Sequence, residues 1–447
     1  MIRFGTAGIR GPVRDSVTPA TCLAVGQAAG EAGMTVVLGR DGRETGGALA
    51  DAMAAGLESA GADVIRLGVV PTPTVAFASQ DRYGVMLTAS HNPPPDNGIK
   101  LFEDGVEYDR GAETRIETAL QDGTNPAEWD AWGESTTESV LDRYREAVVE
   151  YARRFEGDPV GLRVAVDCGN GMASVATPQV LSNLGAAVTT LNANVDGHFP
   201  GRGSKPTPET LSDLRAFVAD GPYDVGIGHD GDADRIVIVD ESGEVVHEDT
   251  ILAILAERYT RKNDAADPVV VTTPNASARI DERVEAAGGR VERVRLGALH
   301  EGIARVRESG GTVAFAAEPW KHIHPAFGGW IDGVASAAIL TRLVTDAGGI
   351  APLREPITER PYRKVAVDCP DERKEATMAR LETTLPAAFS EAAVETDYGV
   401  RLERPDGSWL LVRPSGTEPY IRLYAESEEI DALIAEATAV IESAVDG

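Results

Sequence analysis

At 447 residues, with 43% apolar and 25% charged side chains, the chain is too long for one ordinary core and is read as about three or four globular domains. Its 71 acidic residues against 42 basic ones give a formal net charge of -29. That field makes nucleic acid and anionic membranes poor partners, and with six lysines in all the composition is read as that of a halophilic protein in a high-salt cytoplasm, an acidic mesophilic enzyme being the alternative.

The opening segment MIRFGTAGIRG has no apolar core ahead of a cleavage site, so it is not read as a secretory signal. No run of about 18 apolar residues follows, and no membrane-spanning helix is expected. Residues 35–39 (TVVLG) read as a buried strand, followed by Asp41-Gly42-Arg43 and an alanine-rich helix to about 60. Strands at 63–67 and 85–88 come next. A second block opens with a strand at 163–167, a Gly169-Asn170-Gly171 turn, a helix to about 184 and a strand at 187–191. Strands at 224–228 and 236–240 bracket a polar loop. A third block has strands at 269–273, 291–295 and 313–316, separated by helical patterns. Such alternation predicts parallel sheets covered by helices. The last stretch, with strands at 365–368, 399–403, 409–414 and 421–425 and helices at 373–385 and 431–445, reads as a small α+β domain with a mostly antiparallel sheet. Linkers are expected at 151–159, 247–250 and 352–361. Cys22, Cys168 and Cys369 are scattered, so neither a disulfide framework nor a zinc site is expected.

Four segments carry candidate chemistry. The run 88–100 (TASHNPPPDNGIK) follows the 85–88 strand, at the end where parallel sheets place ligands. Its prolines stiffen a loop, Asn97-Gly98 is a turn signal, and Ser90 is expected at a fixed, exposed position. A serine hydroxyl needs a base or a metal to become a nucleophile, and His91 and Lys100 are the nearby partners. Standing alone, the same segment fits an ordinary proline-rich surface turn. In the 229–235 loop, Asp230, Asp232 and Asp234 alternate, and their clustering makes sense if a cation joins them or if they splay into solvent. All-oxygen ligation suits Mg²⁺. A calcium EF-hand is rejected, because Arg235 stands where its glycine is required and the flanks read as strands. In the 413–419 segment, Ser415, Gly416 and Thr417 can offer hydroxyls and N–H groups to one anion, with Arg413 and Arg422 adding charge-assisted hydrogen bonds. In the 317–322 segment, Glu318 can accept from sugar hydroxyls and His322 can donate.

Taken together and in this order, TASHNPPPDNGIK, DGDADR and RPSGTEPYIR resemble the phosphoserine, metal and phosphate loops of the α-D-phosphohexomutase family. The resemblance covers essentially the whole chain. It implies an α/β protein of three related domains with mixed, largely parallel sheets plus a C-terminal α+β domain, around a central cleft. The expected divisions are 1–150, 151–248, 249–358 and 359–447. It implies that Ser90 carries a phosphoryl group and, with Asp230, Asp232 and Asp234, holds Mg²⁺. Lys100 and His91 would lie beside the reacting hydroxyl, with Lys100 favoured as the base. Arg10 and Arg235 would support the phosphoserine, and Arg413, Ser415, Gly416, Thr417 and Arg422 would grip the phosphate that is not transferred. The family's Gly-Glu-x-Ser-Gly-His sugar loop is altered here: Glu318 and His322 keep their places, but Trp320 and Lys321 replace its serine and glycine.

The implied activity interconverts a hexose or hexosamine 1-phosphate and 6-phosphate through a phosphoserine enzyme and a sugar bisphosphate, which also serves as activator. The named candidates are phosphoglucosamine mutase and phosphomannomutase/phosphoglucomutase, in a cytoplasmic monomer or homodimer. A metal-dependent sugar phosphatase and a non-catalytic sugar-phosphate sensor are the rival readings.

Overall fold

The computed structural model describes residues 2–5, 8–416 and 418–447. The chain divides into two compact units: residues 1–248 with 320–354, and residues 249–319 with 355–447.

The first unit contains two sheets. In the larger, the strands run in the order Ile9–Pro12, Asp96–Glu103, Tyr83–Leu87, Thr35–Arg40, Asp63–Val69, Ser135–Thr137, with Val106–Glu107 paired to Asp96–Glu103. Tyr83–Leu87, Thr35–Arg40, Asp63–Val69 and Ser135–Thr137 are parallel. The near-continuous apolar sequence of the two central strands, Thr35–Arg40 and Tyr83–Leu87, follows from burial on both faces. Asp96–Glu103 runs antiparallel to both of its main neighbours. The second sheet runs Ile236–Val239, Val225–His229, Arg163–Asp167, Ala187–Leu191; only the first pair is antiparallel. Two loops therefore leave the carboxyl ends of parallel strands, one after Leu87 and one after His229.

In the second unit, Pro268–Thr272 lies in parallel between Arg290–Arg293 and Thr312–Glu318. A five-stranded antiparallel sheet follows, ordered Tyr362–Asp368, Tyr420–Glu426, Trp409–Pro414, Val400–Glu403, Ala393–Glu395. Helices Asp371–Ala388 and Ile430–Asp446 pack their Leu381, Leu385, Leu433, Ala437 and Ile441 onto its core. Among the described residues no helix is long and apolar enough to cross a membrane.

Two sequence expectations fail here. Asn97-Gly98 is not a turn: both residues lie inside strand Asp96–Glu103, opposite Gly11 and Arg10. Gly98 is there because of crowding, since a Cβ would meet the Thr88 carbonyl at 2.3 Å and the Ile9 carbonyl at 2.8 Å. The linker expected at 247–250 is instead the first turn of helix Glu248–Lys262.

Candidate active site

Ser90 lies two residues beyond the Thr88 that follows strand Tyr83–Leu87, in the left-handed region at φ 53°. It is fully buried rather than exposed as the sequence suggested. The reason is the neighbouring acidic loop, which closes on it so tightly that a Cβ on Gly231 would stand 2.6 Å from the Ser90 carbonyl oxygen. The Ser90 N–H donates to Thr88 Oγ1 (2.9 Å), and Thr88 Oγ1 donates to Asp41 Oδ2 (2.7 Å). Beneath the loop, the buried Arg43 guanidinium collects its carbonyls. Nη2 donates to Ser90 O (3.0 Å) and Asn92 O (2.7 Å), Nη1 to Pro93 O (2.7 Å) and Asp96 O (2.8 Å), and Nε to Asp41 Oδ2 (3.1 Å). A single cation thus sets the path of the loop from 90 to 96. Sequence reasoning missed Arg43. Its signal was a charged Asp-x-Arg placed directly after a buried strand, where solvent cannot satisfy either charge.

The acidic loop joins Val225–His229 to Ile236–Val239. Asp230, Asp232 and Asp234 are buried, and each offers an oxygen within 4.8 Å of the others. Ser90 Oγ donates to Asp230 Oδ2 (2.7 Å), and His91 Nδ1 lies 3.4 Å from the same hydroxyl. Lys100, on strand Asp96–Glu103, donates to Asp234 Oδ2 (2.7 Å) and Asp232 Oδ2 (3.4 Å). Arg235 Nε stands 3.6 Å from Asp230 Oδ2 and 3.7 Å from Asp234 Oδ1. Thr72, a second residue the sequence did not single out, donates its hydroxyl to Asp232 Oδ2 (2.6 Å). Arg10 sits opposite Gly98 on strand Ile9–Pro12, half-buried. The structure thus brings together Ser90, His91, Lys100, Arg235 and the three aspartates, residues separated by as many as 145 positions.

Electrostatics divide these groups. Burial, reinforced by Asp234 and Asp232, pushes the Asp230 carboxyl well above the usual range. Burial acts the same way on Asp234, but Lys100 and Arg235 outweigh it and hold that carboxyl down. Burial works to lower Lys100, yet Asp234 and Asp232 raise it. Lys100, expected as the base, is therefore an ammonium locked onto two carboxylates in this arrangement. His91 is pushed down to about 3 by burial, with Arg235 and Arg10 adding to it, so its imidazole is neutral.

The donor set fits a hard divalent cation. Asp232 Oδ1 and Asp234 Oδ1 are buried and accept no hydrogen bond from any described residue. Unsatisfied carboxylate oxygens converging in a low-dielectric setting are costly unless a cation meets them.

In the second unit, Arg413 and Arg422 stand directly opposite each other on strands Trp409–Pro414 and Tyr420–Glu426. Like charges facing across a strand pair repel; Glu418 Oε2 meets Arg422 at 3.4 Å, while Arg413 has no carboxylate partner among the described residues, so an anion would relieve the pair further. Arg422 Nη2 donates to Ser415 Oγ (3.3 Å), Arg413 Nη2 donates to Tyr424 Oη (3.2 Å), and the Nε of both arginines is buried with no hydrogen-bond partner among the described residues. Gly416 faces open space: a Cβ there would touch nothing within 4 Å. Thr417 lies outside the described residues.

The 317–322 segment is divided between the units after Pro319. Within the second unit, Glu318 Oε1 accepts the Gly297 N–H (2.5 Å). Within the first, His322 is 1% exposed with Nδ1 2.9 Å from Ser336 Oγ, so its ring is engaged inside the protein. Trp320, at φ 67°, packs on the core of the second sheet, and its carbonyl accepts the Ile236 N–H (3.2 Å).

Models of the phosphoglucomutase/phosphomannomutase family match four successive stretches: alpha/beta/alpha domain I at residues 1–127, domain II at 142–243, domain III at 247–362 and the C-terminal domain at 365–443. The chain belongs to this family. It is an isomerase of the phosphohexomutase type. Similar relatives include the phosphopentomutase of Thermococcus kodakarensis, 40% identical over 95% of this chain and 93% of its own. The probable phosphoglucosamine mutase of Methanopyrus kandleri is 42% identical over 95% of this chain and 94% of its own. Among solved structures, a phosphoglucomutase/phosphomannomutase family protein from Burkholderia thailandensis is 25% identical with a TM-score of 0.86, covering 98% of this chain and 97% of that one. The fold is also that of the Aspergillus fumigatus N-acetylphosphoglucosamine mutase solved with GlcNAc-6P and magnesium, at 16% identity, a TM-score of 0.66, and coverage of 100% of this chain and 96% of that one.

Proposed function

We propose that this family member moves a phosphoryl group between two oxygens of one sugar through a phosphorylated Ser90. The observation that carries the reading is the Ser90 hydroxyl pinned 2.7 Å from one of three buried carboxylates. Phosphorylated Ser90 gives its phosphoryl group to the free hydroxyl of a bound monophosphate. The P–O bond to Ser90 Oγ breaks as the bond to the sugar oxygen forms. The bisphosphate turns over, and its other phosphoryl group returns to Ser90. The proton lost by the sugar hydroxyl balances the one Ser90 Oγ takes up, so the exchange is neutral overall.

Asp230, Asp232 and Asp234, with the phosphorylated Ser90, would hold Mg²⁺, which when bound neutralises charge on the transferring group. Lys100, Arg10 and Arg235 place positive charge around Ser90, and Arg43 keeps the loop from moving while charge develops. His91, neutral and held a weak base by its surroundings, lies beside the serine hydroxyl as a polar contact. Arg413, Ser415, Gly416, Thr417 and Arg422 take the phosphate that stays in place, and Glu318 and His322 belong to the sugar-recognition loop. In this reading the divisions 1–150, 151–248, 249–358 and 359–447 carry the serine, acidic, sugar and anion loops in turn.

We take a glucosamine phosphate as the sugar, as the Methanopyrus relative's name suggests. The Thermococcus relative favours a second reading, a pentose phosphate. A panel of glucosamine, glucose, mannose and ribose monophosphates separates them. Ser90→Ala should abolish phosphoryl uptake from glucose 1,6-bisphosphate and lower turnover at least about a thousandfold. Retained turnover would remove the nucleophile assignment.

A further inference from the structure

The 413–419 loop is held from behind by one side chain. Lys374, in the first turn of helix Asp371–Ala388, donates to Ser415 O (2.7 Å) and Glu418 O (2.6 Å), and pairs with Asp371 Oδ1 at 2.6 Å. Three N–H donors thus meet three acceptors. Two features set this residue apart from an ordinary surface lysine. Its side chain is 13% exposed, and it places a cation at a helix N-terminus, where the backbone dipole disfavours one. The chain also uses arginine for most of its basic positions, with six lysines in all. A planar guanidinium does not match three acceptors around a point, whereas an ammonium does.

The consequence follows from peptide geometry. In a trans peptide the N–H points opposite to the C=O, so fixing the Ser415 carbonyl toward Lys374 turns the Gly416 N–H the other way. That N–H donates to no described residue, and the space beside Gly416 is open. Ser415 N is already committed to Tyr420 O (3.0 Å), so Ser415 is held at both its N–H and its carbonyl. We propose that Lys374 is a positioning residue for anion binding: it gathers the Ser415 and Glu418 carbonyls on one side so that the Gly416 N–H is presented on the other. The proposal rests on the reading of 413–419 as the loop that takes the retained phosphate.

The test compares Lys374→Met, Lys374→Arg and Arg413→Ala in the full chain, using the best substrate of the four-sugar panel. Lys374→Met should raise KM about tenfold while kcat stays within about threefold, with Lys374→Arg intermediate at about threefold. A KM unchanged in Lys374→Met while Arg413→Ala raises it overturns the role of Lys374 and leaves the anion loop standing. An unchanged KM in Arg413→Ala overturns both. If Lys374→Met does not fold, Lys374→Arg decides: a KM rise at constant kcat supports the role, and a wild-type KM ends it.

Discussion

The serine–aspartate cluster and the 413–419 loop both handle phosphate in this reading, yet they are built in opposite ways. The first is buried: Ser90, Asp230 and Asp232 have no exposed surface, Lys100 and Arg235 face carboxylates, Arg43 faces a row of carbonyls, and the carboxylate atoms left open are Asp232 Oδ1 and Asp234 Oδ1. The second leaves two arginines facing each other, partly exposed, with buried Nε groups unanswered by any described residue. The contrast separates two tasks. A group that forms and breaks bonds needs its surroundings fixed in advance, because reorganisation during reaction is costly. A group that grips and releases an ion needs charge left over for the ion to satisfy.

That contrast can be broken by experiment. The largest effect is expected at the buried scaffold. Arg43→Met strands Asp41 and four loop carbonyls, and should cost about 3–5 kcal/mol in denaturant titrations, with turnover lost alongside. A variant of wild-type stability would show that the loop holds its own shape. Next comes the cation. Mg²⁺ at a hundredfold over its Kd should stabilise the protein by about 2.7 kcal/mol, and hydrogen exchange should slow around 88–92 and 230–235 but not at 413–419. Asp232→Asn should remove most of that protection; an unchanged response to Mg²⁺ would mean the ion binds elsewhere. Smaller still, Arg422→Ala should raise KM about tenfold, or 1.4 kcal/mol, at steady kcat. A fall in kcat with KM unmoved would transfer Arg422 to the bond-making side of the comparison. The smallest effect is salt: raising ionic strength should lift KM by about twofold to threefold through the half-exposed arginines and leave kcat flat, because buried pairs are little screened.

Much of this was legible in the residues. The strands at 163–167 and 409–414 fall where buried apolar runs end in Asp or Pro, and the more exposed 187–191 strand follows a glycine that closes the preceding helix. The acidic trio was legible because three carboxylates at alternate positions are too costly to cluster by chance. What escaped was whatever depends on a distant backbone. Asn97-Gly98 carries a turn signal, yet tertiary crowding by the Thr88 carbonyl explains the glycine better. Ser90 looked exposed because nothing local shows that the loop after His229 folds onto it. Arg43 and Lys374 act on carbonyls, and carbonyls have no letter in the sequence. The charge state of Lys100 likewise follows from carboxylates 132 and 134 positions away.

The φ of 53° at Ser90 has a consequence for which hydroxyl amino acid can serve here. Threonine carries the same functional group, but its branched Cβ makes the left-handed region a severe outlier. A Thr at position 90 would have to unwind a loop whose carbonyls are already claimed by Arg43. The backbone therefore makes a choice at position 90 that hydroxyl chemistry alone does not: serine fits the left-handed turn, and one more methyl group does not.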